Sequence, residues 1–330
     1  MRIWVAALAV FCCCGQAAAQ EFGDGWNFSV VHENDLFESG HDRDYTAGEL
    51  ISATSQRGAL DGIVEDIVEA TPFEDDFTSD VRMEIALSHA MFTPEDISRA
   101  QPDPRDRPYA GMALISVGFM GADERRFDRV NFSAGVVGPS SQADDIQIWL
   151  HEQIEGVRPA GWAAQIPDRI VAGVEYQQTR LVLGGADGHP YDVFAHGGFS
   201  LGSIQTNASV GVSVRVGHNR PRDFGLPRLA PSLPGSGYFT AAHSWGWYAF
   251  AGAEGRYVAY DVTLDEGPSV GPKLISRRDW VGDLQAGAAL YIGRVRVSYS
   301  HIWRSEQFRG QREGDGFGAV AVTLASAWGA

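Results

Sequence analysis

The chain has almost no cysteine: three in 330 residues, all in one run at Cys12, Cys13 and Cys14. Past residue 14 there is none, which excludes disulfides and cysteine-ligated metal centres from the rest of the chain. Basic residues are scarce too, with 26 Lys plus Arg against 42 Asp plus Glu and a formal net charge of -16. That balance argues against a nucleic-acid partner, because phosphate binding needs a cationic surface. After residue 20 no apolar run is long enough to span a bilayer as a helix. With a mean hydropathy of -0.15, a helical membrane bundle is excluded. Aromatics are not lacking, at 11%, which excludes a disordered chain.

The one long apolar run, Ile3 to Cys14, follows Arg2, the sole charge before Glu21, and precedes Ala17-Ala18-Ala19. A charged, an apolar and a small-residue region in that order read as a Sec signal peptide over 1–19. The alternatives are a signal anchor, for which the run is short, and a lipoprotein, for which Val10-Phe11 before Cys12 is a poor lipobox. The reading predicts that 20–330 form one exported domain.

What recurs in 20–330 is period-two alternation. Ala208, Val210, Val212, Val214 and Val216 face one way, and Ser209, Gly211, Ser213 and Arg215 the other. Similar alternation predicts strands near 26–35, 46–55, 82–91, 109–121, 127–138, 169–183, 191–201, 205–217, 245–260, 281–292, 294–304 and 317–328. About twelve strands with one apolar and one small or polar face predict an all-β transmembrane antiparallel β-barrel, closed because lipid satisfies no backbone group. Trp26, Phe28, Trp245, Trp247, Trp280, Trp303 and Trp328 cluster at strand ends, as interfacial girdles do. One departure is the finish, where Gly329-Ala330 follows Trp328 instead of a terminal aromatic. The alternative is a soluble sandwich or lipocalin-like barrel, which would turn its apolar face inward.

Residues 143–156 break the rhythm. Ile146, Leu150 and Ile154 are four apart, predicting a short amphipathic helix ended by Gly156, with Gln147 and His151 sharing a face. If strands alternate up and down, the connections 1–2, 3–4 and 5–6 open on one rim. They carry the densest polar sequence: Glu33-Asn34-Asp35 to Asp44-Tyr45-Thr46, Pro94 to Pro108, and the helix with His151. With an inward amino terminus that rim is the outer one, in an outward-facing loop region. The same counting puts 56–80 and 218–243 at the opposite rim, where turns are usually short.

Without cysteine, a nucleophile must be Ser, Thr or water. Gly198-Phe199-Ser200-Leu201-Gly202 matches G-x-S-x-G, but that elbow needs a strand–turn–helix context and here it lies between strands. His151 reads either as a base that takes a proton from water or as a solvated helix histidine. Asn34 and Asp35 offer oxygen ligands suited to a hard cation, or form a solvated strand end; Asp42-Arg43-Asp44 lacks EF-hand spacing.

Glu33-Asn34-Asp35-Leu36-Phe37, Asp44-Tyr45-Thr46-Ala47-Gly48 and Arg105-Asp106-Arg107-Pro108-Tyr109-Ala110-Gly111 together resemble the outer-membrane lipid A 3′-O-deacylase (LpxR-like) family. Gly138-Pro139, Gln147, His151, Gly161-Trp162 and Val281-Gly282-Asp283-Leu284-Gln285 continue the likeness in order. The resemblance implies a twelve-stranded barrel in the bacterial outer membrane. It implies a Ca2+-dependent site at the outer leaflet that hydrolyses the 3′-linked acyloxyacyl ester of lipid A. The partners implied are lipid A or lipopolysaccharide and the surrounding outer-membrane lipids.

Carried over, His151 matches the family's catalytic histidine, Asn34 and Asp35 its Asn-Asp pair and metal position, Thr46 its threonine, and Gln147 the helix residue beside the histidine. Arg99 falls near a basic substrate-contacting position. Arg107 is either a second phosphate contact or a structural ion-pair residue. A family glutamate falls at Val157, where either Glu152 or Glu155 substitutes or the role is absent, and a family aspartate falls at Leu36. The rival functions are a serine-based phospholipase-type esterase and a non-enzymatic porin or adhesin.

Overall fold

The computed structural model describes residues 25–37, 43–60, 80–154, 156–185, 190–226, 228, 236–241 and 243–326. The expected signal peptide, Glu155 and Trp328 lie outside these.

Alternating side chains generate twelve strands: β1 Asn27–Asn34, β2 Asp44–Thr54, β3 Val81–Thr93, β4 Ala110–Ala122, β5 Arg126–Val137, β6 Arg169–Leu183, β7 Tyr191–Gly202, β8 Gln205–His218, β9 Trp245–Asp261, β10 Trp280–Ile292, β11 Val295–Arg304 and β12 Asp315–Ala325. Each pairs antiparallel with its sequence neighbours, and β1 pairs with β12, so the sheet closes and leaves no edge. Among the described residues two α-helices stand in the loops, α1 Ala143–Ile154 and α2 Val262–Asp265.

The apolar residues face outward. Val210, Val212, Val214 and Val216 are all exposed, as are Ile51, Leu87, Ile115 and Leu284 on other strands. This excludes the lipocalin-like alternative, whose apolar face would be inside. Exposed aromatics ring both ends: Trp245, Trp247 and Phe28 near the chain termini, and Trp280, Tyr257 and Trp303 near the opposite rim.

The lumen is filled by buried ion pairs. Arg129 donates to Glu84 at 2.8 Å, Arg256 to Glu254 at 2.7 Å and to Asp283 at 2.9 Å, and Arg296 to Asp223 at 2.7 Å. Charges taken from water need such partners, because an unpaired one is severely penalised.

The connection between β8 and β9 resolves the awkward length at the terminal rim, because its described part turns into the barrel. Phe224, Leu226, Tyr238 and Phe239 are buried there, and Phe224 stacks on Phe127 at 5.4 Å. Tyr238 donates to Asp80 at 2.9 Å, and the Gly237 amide to Glu84 at 3.0 Å. Arg228 reaches Glu33, next to the far end of β1, at 2.7 Å. The segment is thus a strap running up most of the lumen, with a cavity of about 240 Å³ beside it.

Candidate active site on the outer wall

The rim opposite the chain termini carries the connections 1–2, 3–4 and 5–6, as strand parity requires. Outside the wall at that rim lies α1. Its start fits against β4 because Gly111 has no side chain: a Cβ there would sit 2.2 Å from Ser141 Oγ and 2.3 Å from Ala143 Cβ. His89, projecting from the outer face of β3, donates from Nε2 to the Ser141 carbonyl at 3.1 Å. Asp144 and Asp145 occupy the first turn, where the helix dipole favours acid.

The helix presents the face opposite to the one its apolar spacing predicts. Ala143, Gln147 and His151 are buried against the protein, while Ile146 and Trp149 are exposed. The apolar stripe thus lies outside and the polar stripe inside.

Two bonds fix that polar stripe. Trp162 Nε1 donates to Gln147 Oε1 at 2.7 Å, and the Trp162 ring packs on Tyr109 at 4.8 Å. Gly161 permits this approach, since a Cβ there would lie 2.6 Å from Tyr109 Cε2 and 2.8 Å from the Arg99 carbonyl. At the other end of α1 the Gly156 amide donates to the His151 carbonyl at 2.9 Å, turning the chain back. That turn brings the Val157 carbonyl to 2.5 Å from His151 Nδ1. A carbonyl only accepts, so Nδ1 carries the proton and Nε2 is the basic nitrogen of the neutral ring.

Asn34 ends β1 on the outward face, in alternation with exposed Val30 and Phe28. Its Oδ1 accepts the Leu36 amide at 2.7 Å, and fully buried Asp35 accepts the Arg43 amide at 2.7 Å. Thr46 sits at a β-bulge between Tyr45 and Ala47, and its hydroxyl meets that of Thr93 at 2.7 Å. The bulge lets Tyr45 pack inward on Phe317 while Ala47 joins Met91, Ile97, Tyr109, Ala143 and Trp162 in one cluster beneath the helix. Asn34, Asp35 and Thr46 thus lie at the same rim as Gln147 and His151, with Ala47, the partner of Asn34 in the ladder, packed in the cluster beneath the helix. Among the described residues no group of three or more His, Cys, Asp or Glu side chains is assembled to hold a metal ion.

The two arginines separate. Arg99 is exposed on the 94–109 connection, in the field of Asp96 and Asp103. Asp103 is held below its usual range chiefly by the Arg105 hydrogen bond, and burial pushes neighbouring Asp106 up. Arg107 is wholly buried on the lumen side, donating to Thr263 at 3.1 Å, lying over the Phe92 ring and 3.6 Å from Asp44. The phosphate-contact reading of Arg107 is thereby corrected to the ion-pair one. Glu152 pairs with Arg158 at 3.2 Å on the exposed side of the helix, away from the Nδ1 bond. Ser200 of the G-x-S-x-G match lies within β7 and donates to the Gln205 carbonyl at 3.2 Å, which removes it as an elbow nucleophile. Sequence reasoning missed Thr93 and the Val157 carbonyl; the first lacked a motif and the second is backbone.

An apolar-out, charge-in closed barrel with a histidine site on its outer wall defines an outer-membrane β-barrel with a surface site. The chain belongs to the family of outer membrane protein LpxR, whose model matches residues 4–326. The solved structure of LpxR from Salmonella typhimurium is similar, with a TM-score of 0.71 at 16% identity, covering 91% of this chain and 100% of that one. The translocator domain of the autotransporter NalP from Neisseria meningitidis has a TM-score of 0.39 at 11% identity, over 91% of this chain and 88% of that one. Comparison with curated proteins finds no matching sequence.

Proposed function

We propose that this chain is a calcium-dependent lipid A 3′-O-deacylase of the outer leaflet, delivered by a signal peptide over 1–19 and spanning the membrane with its twelve strands. The observation that carries this reading is the imidazole of His151, tethered through Nδ1 to the Val157 carbonyl on the lipid-facing side of the wall. His151 Nε2 takes a proton from water, and that water attacks the carbonyl carbon of the 3′-ester. The tetrahedral intermediate then expels the sugar oxygen, which recovers the proton from His151. The products are the free acyloxyacyl acid and a 3′-hydroxyl.

Gln147, held by Trp162, and Thr46, held by Thr93, orient water and ester. Asn34 and Asp35 are hard oxygen donors on adjoining buried residues, the donor chemistry calcium takes, and would hold the ion with backbone, substrate or water oxygens completing its shell. When bound, the ion supplies Lewis-acid stabilisation of charge on the ester oxygen. Exposed Arg99 pairs with a lipid A phosphate, which suits guanidinium geometry.

The test is mass spectrometry of lipid A from a host expressing the protein, with and without calcium chelation. Loss of the 3′-acyloxyacyl mass, blocked by the chelator, is expected. An unchanged acyl pattern in both samples defeats the reading. Labelling by a serine-directed inhibitor favours the serine esterase instead.

A further inference from the structure

The outer wall directly below this site carries a carboxylate between two imidazoles on three neighbouring strands. On β1, two residues from Asn34 and on the same face, stands His32, roughly 7 Å further along the strand. His32 pairs in register with Glu49, and Glu49 with His89. His32 Nδ1 and Glu49 Oε1 are 2.5 Å apart, and these side chains keep 29% and 49% of their surface open. His89 is committed elsewhere, since its Nε2 anchors the turn before α1.

Following the same row around the barrel gives Val320 and Tyr299 on one side and Ala113, Val136 and Ile170 on the other. One step deeper, the outward residues beneath the polar ones are Val30, Ile51 and Leu87, all exposed. A general headgroup-level belt would put polar groups around the whole row. In this row carboxylate and imidazole groups occupy only β1 to β3, under Asn34, Thr46 and α1. A carboxylate on a lipid-facing wall is costly, and such residues mark function when local.

We infer that His32 and Glu49 form a substrate-binding ledge that hydrogen-bonds a polar group carried on an acyl chain a few bonds beyond the reacting ester. The class of ligand is a hydroxyl or amide donor of the kind hydroxyacyl chains carry and plain fatty acyl chains do not. Glu49 accepts from a hydroxyl or amide, and His32 holds Glu49 in place. The ledge would thus select substituted chains. This inference rests on the deacylase reading of the same site.

The test uses the full-length protein in detergent micelles, with binding and turnover read separately. In the His151→Ala background, retained lipid is quantified by mass spectrometry after gel filtration. The two probes are a lipid A that carries hydroxyacyl chains and a phosphatidylglycerol with unsubstituted chains. Glu49→Leu or His32→Phe is expected to weaken lipid A retention about tenfold, the scale of one hydrogen bond to a charged group, while phosphatidylglycerol retention stays the same. With His151 intact, Glu49→Leu raises KM for lipid A about tenfold and holds kcat within twofold. Glu49→Gln gives a smaller effect, and Tyr299→Leu, in the same row but another sector, gives none. Heat-modifiable migration verifies that each variant folds. Unchanged lipid A retention, equal losses for both lipids, or a fall in kcat at constant KM would overturn the ledge. If the unmodified protein releases no acid from lipid A, the deacylase reading fails, and the binding comparison still decides the ledge.

Discussion

The Nδ1 of His151 lies 2.5 Å from the carbonyl oxygen of Val157, six residues on and past the end of its own helix. The acceptor is a main-chain oxygen, so this orienting contact does not depend on the identity of the side chain at 157. The turn at Gly156 is what places that oxygen. The valine that departs from the family pattern is therefore compatible with a working base.

Removal of the imidazole is the first prediction. His151→Ala should lower deacylation by about 10²–10⁴, the usual worth of a general base, measured as acid released from lipid A micelles. Heat-modifiable migration of the barrel should be unchanged, because His151 takes no part in the strand ladder. The residual pH–rate profile should lose its acid limb, since protonation of Nε2 is what switches off the base.

The orienting turn is tested by Gly156→Pro. Proline lacks the amide that donates to the His151 carbonyl and restricts the residue before it. The Val157 carbonyl then leaves the ring, and kcat should fall about 10–100-fold, the scale seen when a supporting partner is lost. A rate within twofold of the parent would remove Val157 from the mechanism.

Trp162→Phe keeps an aromatic ring against Tyr109 but deletes the donor to Gln147. The loss should destabilise the rim by about 1 kcal/mol and speed proteolysis within 139–164 while the barrel stays intact. It should lower kcat more than it raises KM, because Gln147 orients the reaction rather than binding chains.

The two arginines should respond in opposite ways. Arg107→Ala leaves Asp44 without its buried cation and should cost about 3–5 kcal/mol, read as a lower melting temperature in detergent. Arg99→Ala, on the exposed loop, should leave melting unchanged and raise KM for bisphosphorylated lipid A.

The strap predicts silence in planar bilayers. With Arg228 bonded to Glu33 and four aromatic or aliphatic residues packed inside, the intact protein should show no stable conductance steps. Replacing 221–240 with a short Gly-Ser link should create them; steps in the unaltered protein would revive the porin alternative.

The sequence discloses the strands well, since alternation is a local signal and each strand needs only its own residues to display it. β2 begins at Asp44 rather than near 46, because the bulge at Tyr45 and Thr46 breaks the alternation there. The helix is found but its facing is not. Ile146 and Leu150 point to a buried stripe only if the surroundings are water. The strap is illegible for a different reason. Its Pro- and Gly-rich composition resembles any loop, and its docking depends on partners such as Glu33, far away in the chain. Of the site, His151, Gln147, Asn34, Asp35 and Thr46 are legible through ordered motifs, whereas main-chain contributions leave no trace in residue identity.

On the deacylase reading, the placement of His151 outside the barrel, on the inner face of a helix whose apolar side is exposed, would set the kinetic order of the reaction. Substrate would then arrive by lateral diffusion within a leaflet, so the quantity that saturates such an enzyme would be a mole fraction in two dimensions, not a molarity. Diluting lipid A with inert lipid at constant bulk concentration slows such an enzyme, and diluting the whole suspension with buffer does not.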